Sequence, residues 1–430
     1  MKKKLNSGFD QISIAKQLLR WTILAIPLSI IVGSLVALFL WLLDKATEIR
    51  WQHAWLLFLL PLAGILIYFL YKAGGKNAEA GNNLIIDEIH EPGAGVPARM
   101  TPLVLAATLI THLFGGSAGR EGTAVQMGGS MAALLSRWLK LDKNDRGILL
   151  QCGIAAGFGA VFGTPVAGTV FALEVLVSGR ILYRALLPCL IAAILADITC
   201  SAYGIHHTLY HIDSIATTAV KISVIHFDFL LIAKVIGAAI AFGFAGYFFI
   251  TLSHSIKDHS TRIIRMQWLR PAIGGVLIIG LTFALGTYDY LGLGVTNPDP
   301  GAVSIVSSFH EGGANYLSWF WKIVFTAITL GMGFKGGEVT PLFFIGATLG
   351  NVIAAITGAP TDLMAGLGFI AVFAAATKTP FACVIMGVEL FGGDHILYYA
   401  IACFTAYYFS GQSSIYTSQR IGIRKINPKE

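Results

Sequence analysis

Charge is what this sequence has least of. Only 12% of its 430 residues are Asp, Glu, Lys or Arg, against 55% hydrophobic ones, whereas a water-soluble domain carries about a quarter charged residues. Lipid must therefore solvate much of the surface, and disorder, a coiled coil and a secreted disulfide scaffold are excluded. Cysteine is scarce as well. Cys152, Cys189, Cys200, Cys383 and Cys403 are odd in number, isolated, mostly in apolar runs and without CxxC spacing, so they read as reduced packing residues. No HExxH, Walker A or GxSxG motif occurs, which leaves an enzyme without a nucleophile, base or metal set and calls for neither cofactor nor metal.

The net charge of +7 comes from basic residues at the two ends and in short connections, the pattern of a membrane protein's cytoplasmic face rather than of a nucleic-acid binder. Trp21 to Leu43 runs for 23 residues without a charge, about the length of one crossing at ~1.5 Å per residue, and no cleavage site follows it. The preceding residues, 1–20, read as a cytoplasmic amphipathic segment with a surface helix over Phe9 to Arg20. Later apolar runs, such as Gly147 to Leu173, Val235 to Ile256 and Pro341 to Pro360, are uneven in length and broken by Gly or Pro. Tilted and partial helices follow from that pattern. Lys16 and Arg20 at one end, with Arg420, Arg424, Lys425 and Lys429 at the other, place both termini in the cytoplasm and imply an even number of crossings.

The 48 glycines have no collagen-like period and sit inside apolar stretches, where membrane helices pack closely or break. Some of them belong to an internal repeat. Gly116-Ser-Ala-Gly119-Arg-Glu121-Gly-Thr123 matches Gly333-Phe-Lys-Gly336-Gly-Glu338-Val-Thr340, 217 residues on. Thr164-Pro165-Val-Ala167 followed by Glu174 matches Thr379-Pro380-Phe-Ala382 followed by Glu389, 215 residues on. Two matches in the same order, at an offset of half the chain, mark a duplicated membrane unit. The expected organisation is a first repeat over 21–200, a connection over 201–228, a second repeat over 229–417 and a cytoplasmic tail over 418–430.

If each half crosses an odd number of times, the second is inverted and the equivalent loops meet from opposite faces. Glycine-rich breaks expose backbone N–H groups at half-helix N-termini, whose positive ends attract an anion. Glu121 and Glu338 are costly at such depth. Burial disfavours the charged form, so each is a candidate proton carrier. The alternative is a glutamate hydrogen-bonded to loop amides or paired with Arg120 or Lys335. Glu174 and Glu389 read as structural, capping or pairing within the bundle. His206, His207 and His211 share one loop without a nearby set of acids, and read as a solvated or interfacial segment rather than a metal site.

Gly119-Arg120-Glu121-Gly122, the run from Gly159 to Gly168 around Pro165, and Gly336-Gly337 before Pro341 resemble the CLC chloride channel and anion/proton antiporter family over about residues 20 to 420. The resemblance implies an all-α polytopic fold of about eighteen tilted and broken helices in two inverted repeats. It also implies a homodimer with one anion pathway per subunit, Glu121 as the external gating and proton-carrying glutamate, and Tyr416 as the inner-gate tyrosine, with an interfacial aromatic anchor as the alternative for Tyr416. Arg120 supports the loop in this reading, and Phe343 and Phe344 pack.

Departures from the usual family pattern bear on the ion. Gly81-Asn82-Asn83-Leu84-Ile85 stands where chloride-selective members have Gly-Ser-Gly-Ile-Pro, Val175 stands at the inner proton-transfer acid, and Gly336-Gly337-Glu338-Val339-Thr340-Pro341 replaces Gly-Gly-Ile-Phe-x-Pro. These are similar to the fluoride/proton antiporter branch. The resemblance implies an antiporter of a bacterial plasma membrane that exports fluoride against protons, with Asn82, Gly122, Val339, Thr340 and Tyr416 at the anion and Glu338 as a second coupling carboxylate. A chloride/proton antiporter or passive chloride channel is the alternative. Fluoride holds its water strongly, and an Asn amide offers two N–H donors where Ser offers one O–H; a shift of one residue would give the role to Asn83. The expected partners are fluoride, protons, membrane lipid and a second copy of the chain, with no nucleic acid.

Overall fold

The structure is a computed structural model and describes residues 7–75, 77–93, 95–213, 220–222 and 225–425. Fifteen α-helices and three short 3₁₀ segments account for most of the described chain. The first set is α1 (Ser7–Gln52), α2 (Leu60–Gly74), α3 (Asn82–His90), α4 (Met100–Leu113), α5 (Glu121–Trp138), α6 (Lys143–Phe162), α7 (Pro165–Glu174) and α8 (Leu186–Ala202). The second is α9 (Phe229–Ile263), α10 (Leu269–Leu285), α11 (Ser318–Gly331), α12 (Val339–Thr357), α13 (Thr361–Thr377), α14 (Pro380–Phe391) and α15 (Ile396–Phe409). The second set repeats the first in order: α5, α6, α7 and α8 answer to α12, α13, α14 and α15.

Among the described residues, five helical segments are long and apolar enough to cross a bilayer, and six shorter apolar helices of 10–17 residues lie among them. The uneven spans expected from Gly and Pro punctuation are therefore present. Helix α1 is one element of 46 residues, about 69 Å long at ~1.5 Å per residue and more than twice the ~30 Å hydrocarbon core. The separate surface helix expected over Phe9 to Arg20 is absent. No glycine or proline divides that stretch from the apolar run, so the helix simply continues. Arg20 is fixed near this end by a 2.5 Å ion pair with Asp145 on α6.

Two glycine contacts hold equivalent helices together in the two halves. A Cβ on Gly128 of α5 would stand 2.0 Å from the Gly153 carbonyl oxygen of α6, and one on Gly346 of α12 would stand 2.0 Å from the Gly368 carbonyl oxygen of α13. Only glycine permits this approach of backbones, which brings each pair of helices into close van der Waals contact where no hydrophobic force distinguishes protein from lipid. All five cysteines are free and buried, as packing residues should be.

The remaining strands are short. Strand β1 (Val177–Ser178) pairs in parallel with β4 (Arg420–Ile421), and β2 (Val220–Ile222) pairs antiparallel with β3 (Ile225–Phe227). The segment expected as a tail after 418 is thus pinned to the end of α7 through β1. Residues 1–6 and 426–430, and part of the expected connection (214–219 and 223–224), lie outside the described residues.

Candidate functional site

Each glycine-rich repeat ends at a helix N-terminus: Arg120 precedes α5, and Glu338 precedes α12. The first four N–H groups of any helix lack intrahelical acceptors and carry its positive end. Here two such ends are brought face to face. Gly119 N–H donates to the Gly337 carbonyl at 2.6 Å, and Gly337 N–H donates back to the Gly119 carbonyl at 2.8 Å, forming one isolated antiparallel bridge between the repeats. The contact requires both glycines. A Cβ on Gly119 would lie 2.8 Å from a Glu121 carboxylate oxygen, and one on Gly337 would lie 2.8 Å from the Gly122 nitrogen.

Glu121 is 1% exposed. Its Oε2 accepts from Thr340 N–H at 3.1 Å and from Arg120 N–H at 3.1 Å, and its Oε1 accepts from the Thr340 hydroxyl. Arg120 Nε lies 3.8 Å from Oε1. The carboxyl group of one repeat is thereby seated on donors at the helix N-terminus of the other. Hydrogen-bonding to loop amides and pairing with Arg120, the alternative reading of Glu121, is how the carboxylate is seated; Lys335 instead lies over the Tyr71 ring at 4.5 Å.

Asn82, Gly122 and Glu338 converge beside this contact. The position of a Cβ on Gly122 is 3.0 Å from Gly337 Cα, 3.2 Å from Asn82 Nδ2 and 3.9 Å from Glu338 Oε2. Asn82 opens α3 after Gly81, whose φ of +59° favours glycine. The two asparagines divide cleanly: Asn83 Oδ1 accepts from Ser418 N–H at 3.1 Å, whereas the buried Asn82 Oδ1 has no partner. Asn83 braces the loop, while the Asn82 carboxamide turns its Nδ2 toward Gly122 and leaves its Oδ1 without a donor. Val339 and Thr340 are buried in the first turn of α12.

Tyr416 is 6% exposed and packs edge-on against Phe171, with ring centroids 6.4 Å apart. Its charged neighbours are Glu338 and Glu121. Its burial within the protein differs from the exposed position of an aromatic anchor at the membrane interface. From Tyr416 a column of rings runs through Phe171, Phe373 and Phe343, the last stacked on Phe369 at 3.8 Å and meeting Phe162 at 5.4 Å. Phe343 packs within this column, and Phe344 packs against Tyr290 and under Lys322.

Above Glu121, a throat of about 20 Å³ is lined by Arg120, His207, Thr208, Tyr210, Thr340 and Phe343 among others. His207 was not expected to reach the site. It does so because the chain after α8 folds back over Gly163, where an added Cβ would meet His207 Cδ2 at 2.5 Å. Burial, followed by the positive charges of Arg120 and His206, pushes His207 down to about 4, so its ring is neutral at neutral pH. His206 is exposed.

Glu174 and Glu389 cap helices across the repeat. Glu174, the last residue of α7, accepts from Phe381 N–H at 3.2 Å and Ala382 N–H at 2.9 Å at the start of α14. Glu389 near the end of α14 accepts from Val166 N–H at 2.9 Å and Ala167 N–H at 2.7 Å at the start of α7. The structural reading of both acids holds. Lys322 is a buried lysine without a signal in the sequence, since it sits alone in an apolar run; its Nζ donates to the Tyr290 and Gly292 carbonyls at 3.1 and 2.9 Å.

Comparison with known proteins agrees with this geometry. Residues 62–411 match the voltage gated chloride channel family. The chain is 45% identical to a chloride/fluoride channel protein of Pseudomonas syringae pv. tomato, over 97% of this chain and 90% of that protein. It is 26% identical to the H(+)/Cl(-) exchange transporter ClcA of Vibrio cholerae, over 71% and 68%. The crystal structure of a CLC-type fluoride/proton antiporter superposes with a TM-score of 0.87 at 34% identity, covering 94% of this chain and 98% of that one. A membrane-embedded inverted repeat, a bridge between its two glycine loops and a family match across most of the chain lead to one conclusion: this protein belongs to the voltage gated chloride channel family.

Proposed function

We propose that the protein is a secondary antiporter that expels fluoride from the cytoplasm of a bacterium in exchange for protons. The observation that carries this reading is the seat of Glu121. Its carboxylate occupies an anion position built from Thr340 N–H, the Thr340 hydroxyl and Arg120 N–H. A free anion and the deprotonated side chain compete for that position. Protonation removes the negative charge that the seat holds, and the neutral acid yields to an anion. Movement of the anion and of the proton is thereby tied to one side chain.

Fluoride is favoured over chloride by the polar donors around the seat. The Asn82 Nδ2 beside Gly122 and the Thr340 hydroxyl supply close donors to a small, strongly hydrated ion. Glu338, beside Gly122 and within the field of Glu121, acts as the second coupling carboxylate where Val175 leaves the usual inner acid missing. Gly122 and Val339 border the ion, and the Tyr416 hydroxyl closes the inner side. The two relatives whose names include fluoride support the same ion. Both termini face the cytoplasm in this reading, Glu121 faces outward, and two copies assemble with one pathway each.

The test is flux from liposomes holding purified protein, with fluoride read by an electrode and protons by a pH probe. Uphill proton movement driven by a fluoride gradient, abolished in Glu121→Gln, is the expected result. Equal or larger chloride flux without proton movement refutes it and makes the protein a chloride channel.

A further inference from the structure

The throat above Glu121 measures about 20 Å³, room for about one water molecule, and Glu121 beneath it is almost wholly buried. A proton crossing so small a space needs a group that can hand it over. Among the side chains that line the throat, Arg120 keeps its charge, the Thr208 and Thr340 hydroxyls keep their protons, and burial pushes the Tyr210 phenol up beyond use. His207 is left, besides Glu121, as the lining group that gains and loses a proton between acid and neutral pH.

His207 also faces an acid. Its Nε2 lies 4.0 Å from Oδ1 of Asp197 on α8, and both atoms are buried without a hydrogen-bond partner among the described residues. That separation is one small side-chain rotation beyond a hydrogen bond. Asp197 lies in a helix apolar enough to cross the membrane, where a carboxyl group is costly and no step described so far uses it. The ring cannot retreat, because it rests on the left-handed Gly163 at the end of α6. Around the pair stand Arg120 and Glu121 at the start of α5, Cys200 on α8, His206 and Tyr210 in the connection, and Glu389 on α14. Arg120 and His206 oppose a positive ring, whereas Asp197 is the acid within ion-pair distance that favours one.

We propose that His207 carries protons between water on the throat side and Glu121, with Asp197 as the positioning residue and counter-charge of its ring. The inference rests on the antiport reading for Glu121 as the proton's acceptor, and on the throat and the Asp197 contact for the relay. The neutral imidazole takes one proton from water and becomes an imidazolium paired with the Asp197 carboxylate. It then gives that proton to the Glu121 carboxylate across the throat and is neutral again; the reverse order carries a proton out. Burial, with Arg120 and His206, holds His207 down to about 4, so at neutral pH the ring is charged only in passing. Its charged share rises about ten-fold for each unit by which pH falls toward that value.

The experiment compares wild type with His207→Gln and Asp197→Asn in liposomes, with pH varied on one side at a time. Wild-type exchange of fluoride for protons speeds up as pH falls on the throat side. His207→Gln, which keeps a polar side chain but cannot pass a proton, slows exchange about a hundred-fold and flattens that pH profile. Asp197→Asn slows it less and moves the rise to lower pH, because an imidazolium without its carboxylate forms less readily. Fluoride titrated calorimetrically onto purified His207→Gln binds as it binds wild type. An unchanged rate and pH profile in His207→Gln, or a loss of fluoride binding that matches the loss of exchange, overturns the relay. Absence of proton-coupled exchange in wild type refutes the antiport reading instead. Nitrogen NMR of labelled histidine in the purified protein then still decides the pair: the His207 signal, identified by its absence in His207→Gln, titrates about one unit lower in Asp197→Asn than in wild type, and equal midpoints overturn it.

Discussion

Replacing Glu174 by Gln tests whether this acid holds the fold or carries protons. Its two oxygens accept from Phe381 and Ala382 N–H at 3.2 and 2.9 Å, at the positive end of α14. Glutamine is nearly the same size, yet it presents one acceptor and one NH₂ donor, so one backbone N–H is left facing another donor. A hydrogen bond to a charged acceptor contributes about 1.5–3 kcal/mol, and the charge at the helix terminus adds about 0.5 kcal/mol more. The expected cost is about 2–4 kcal/mol. With an unfolding entropy of about 2 cal/mol/K per residue, a chain of this length loses about 1 °C of melting temperature per kcal/mol, giving a fall of about 2–4 °C. Glu389→Gln, which disturbs the mirror-image cap on Val166 and Ala167, falls by a similar amount. The assay is thermal unfolding of purified variants in detergent, followed by the proton-to-fluoride ratio in liposomes. An unchanged melting temperature together with an altered ratio in Glu174→Gln refutes the capping argument and makes Glu174 a proton carrier.

Three further outcomes are expected. Glu338→Gln keeps size but removes the second carboxylate beside Gly122, and coupled exchange collapses; near-normal coupling in liposomes sinks the role given to Glu338. Gly128→Ala and Gly346→Ala each force a methyl to within 2.0 Å of a backbone oxygen and cost about 3 kcal/mol or more in thermal unfolding, whereas Gly147→Ala, with nothing within 4 Å of the added carbon, is tolerated. Asn82→Ser shifts selectivity toward chloride several-fold in electrode-recorded flux, while Asn83→Ser acts mainly on stability, because Asn83 is tied to Ser418; the reverse order exchanges their roles.

The sequence by itself determined the membrane class, the duplication and the placement of the two glutamates. Missing charge has only one solvent that tolerates it, and the paired G-x-x-G-x-E-x-T segments already show that one unit was used twice. Local punctuation also carried far: Pro165 and Pro380 open α7 and α14 as first-turn prolines do. What it could not display is any contact spanning half the chain. That the Glu121 carboxylate rests on Thr340, 219 residues away, that Glu174 and Glu389 cap each other's helices, and that Asn83 Oδ1 is tied to Ser418 while Asn82 lies beside Gly122 are decided only when the inverted halves interlock. Lys322 was invisible for the same reason. A lone basic residue in an apolar run has no pattern around it, and its significance comes from the Tyr290 and Gly292 carbonyls that folding places against it. The continuous α1 illustrates the opposite limit: charge and amphipathy suggested a break near Arg20, but backbone propensity offered none, and tertiary contact with Asp145 was satisfied without one.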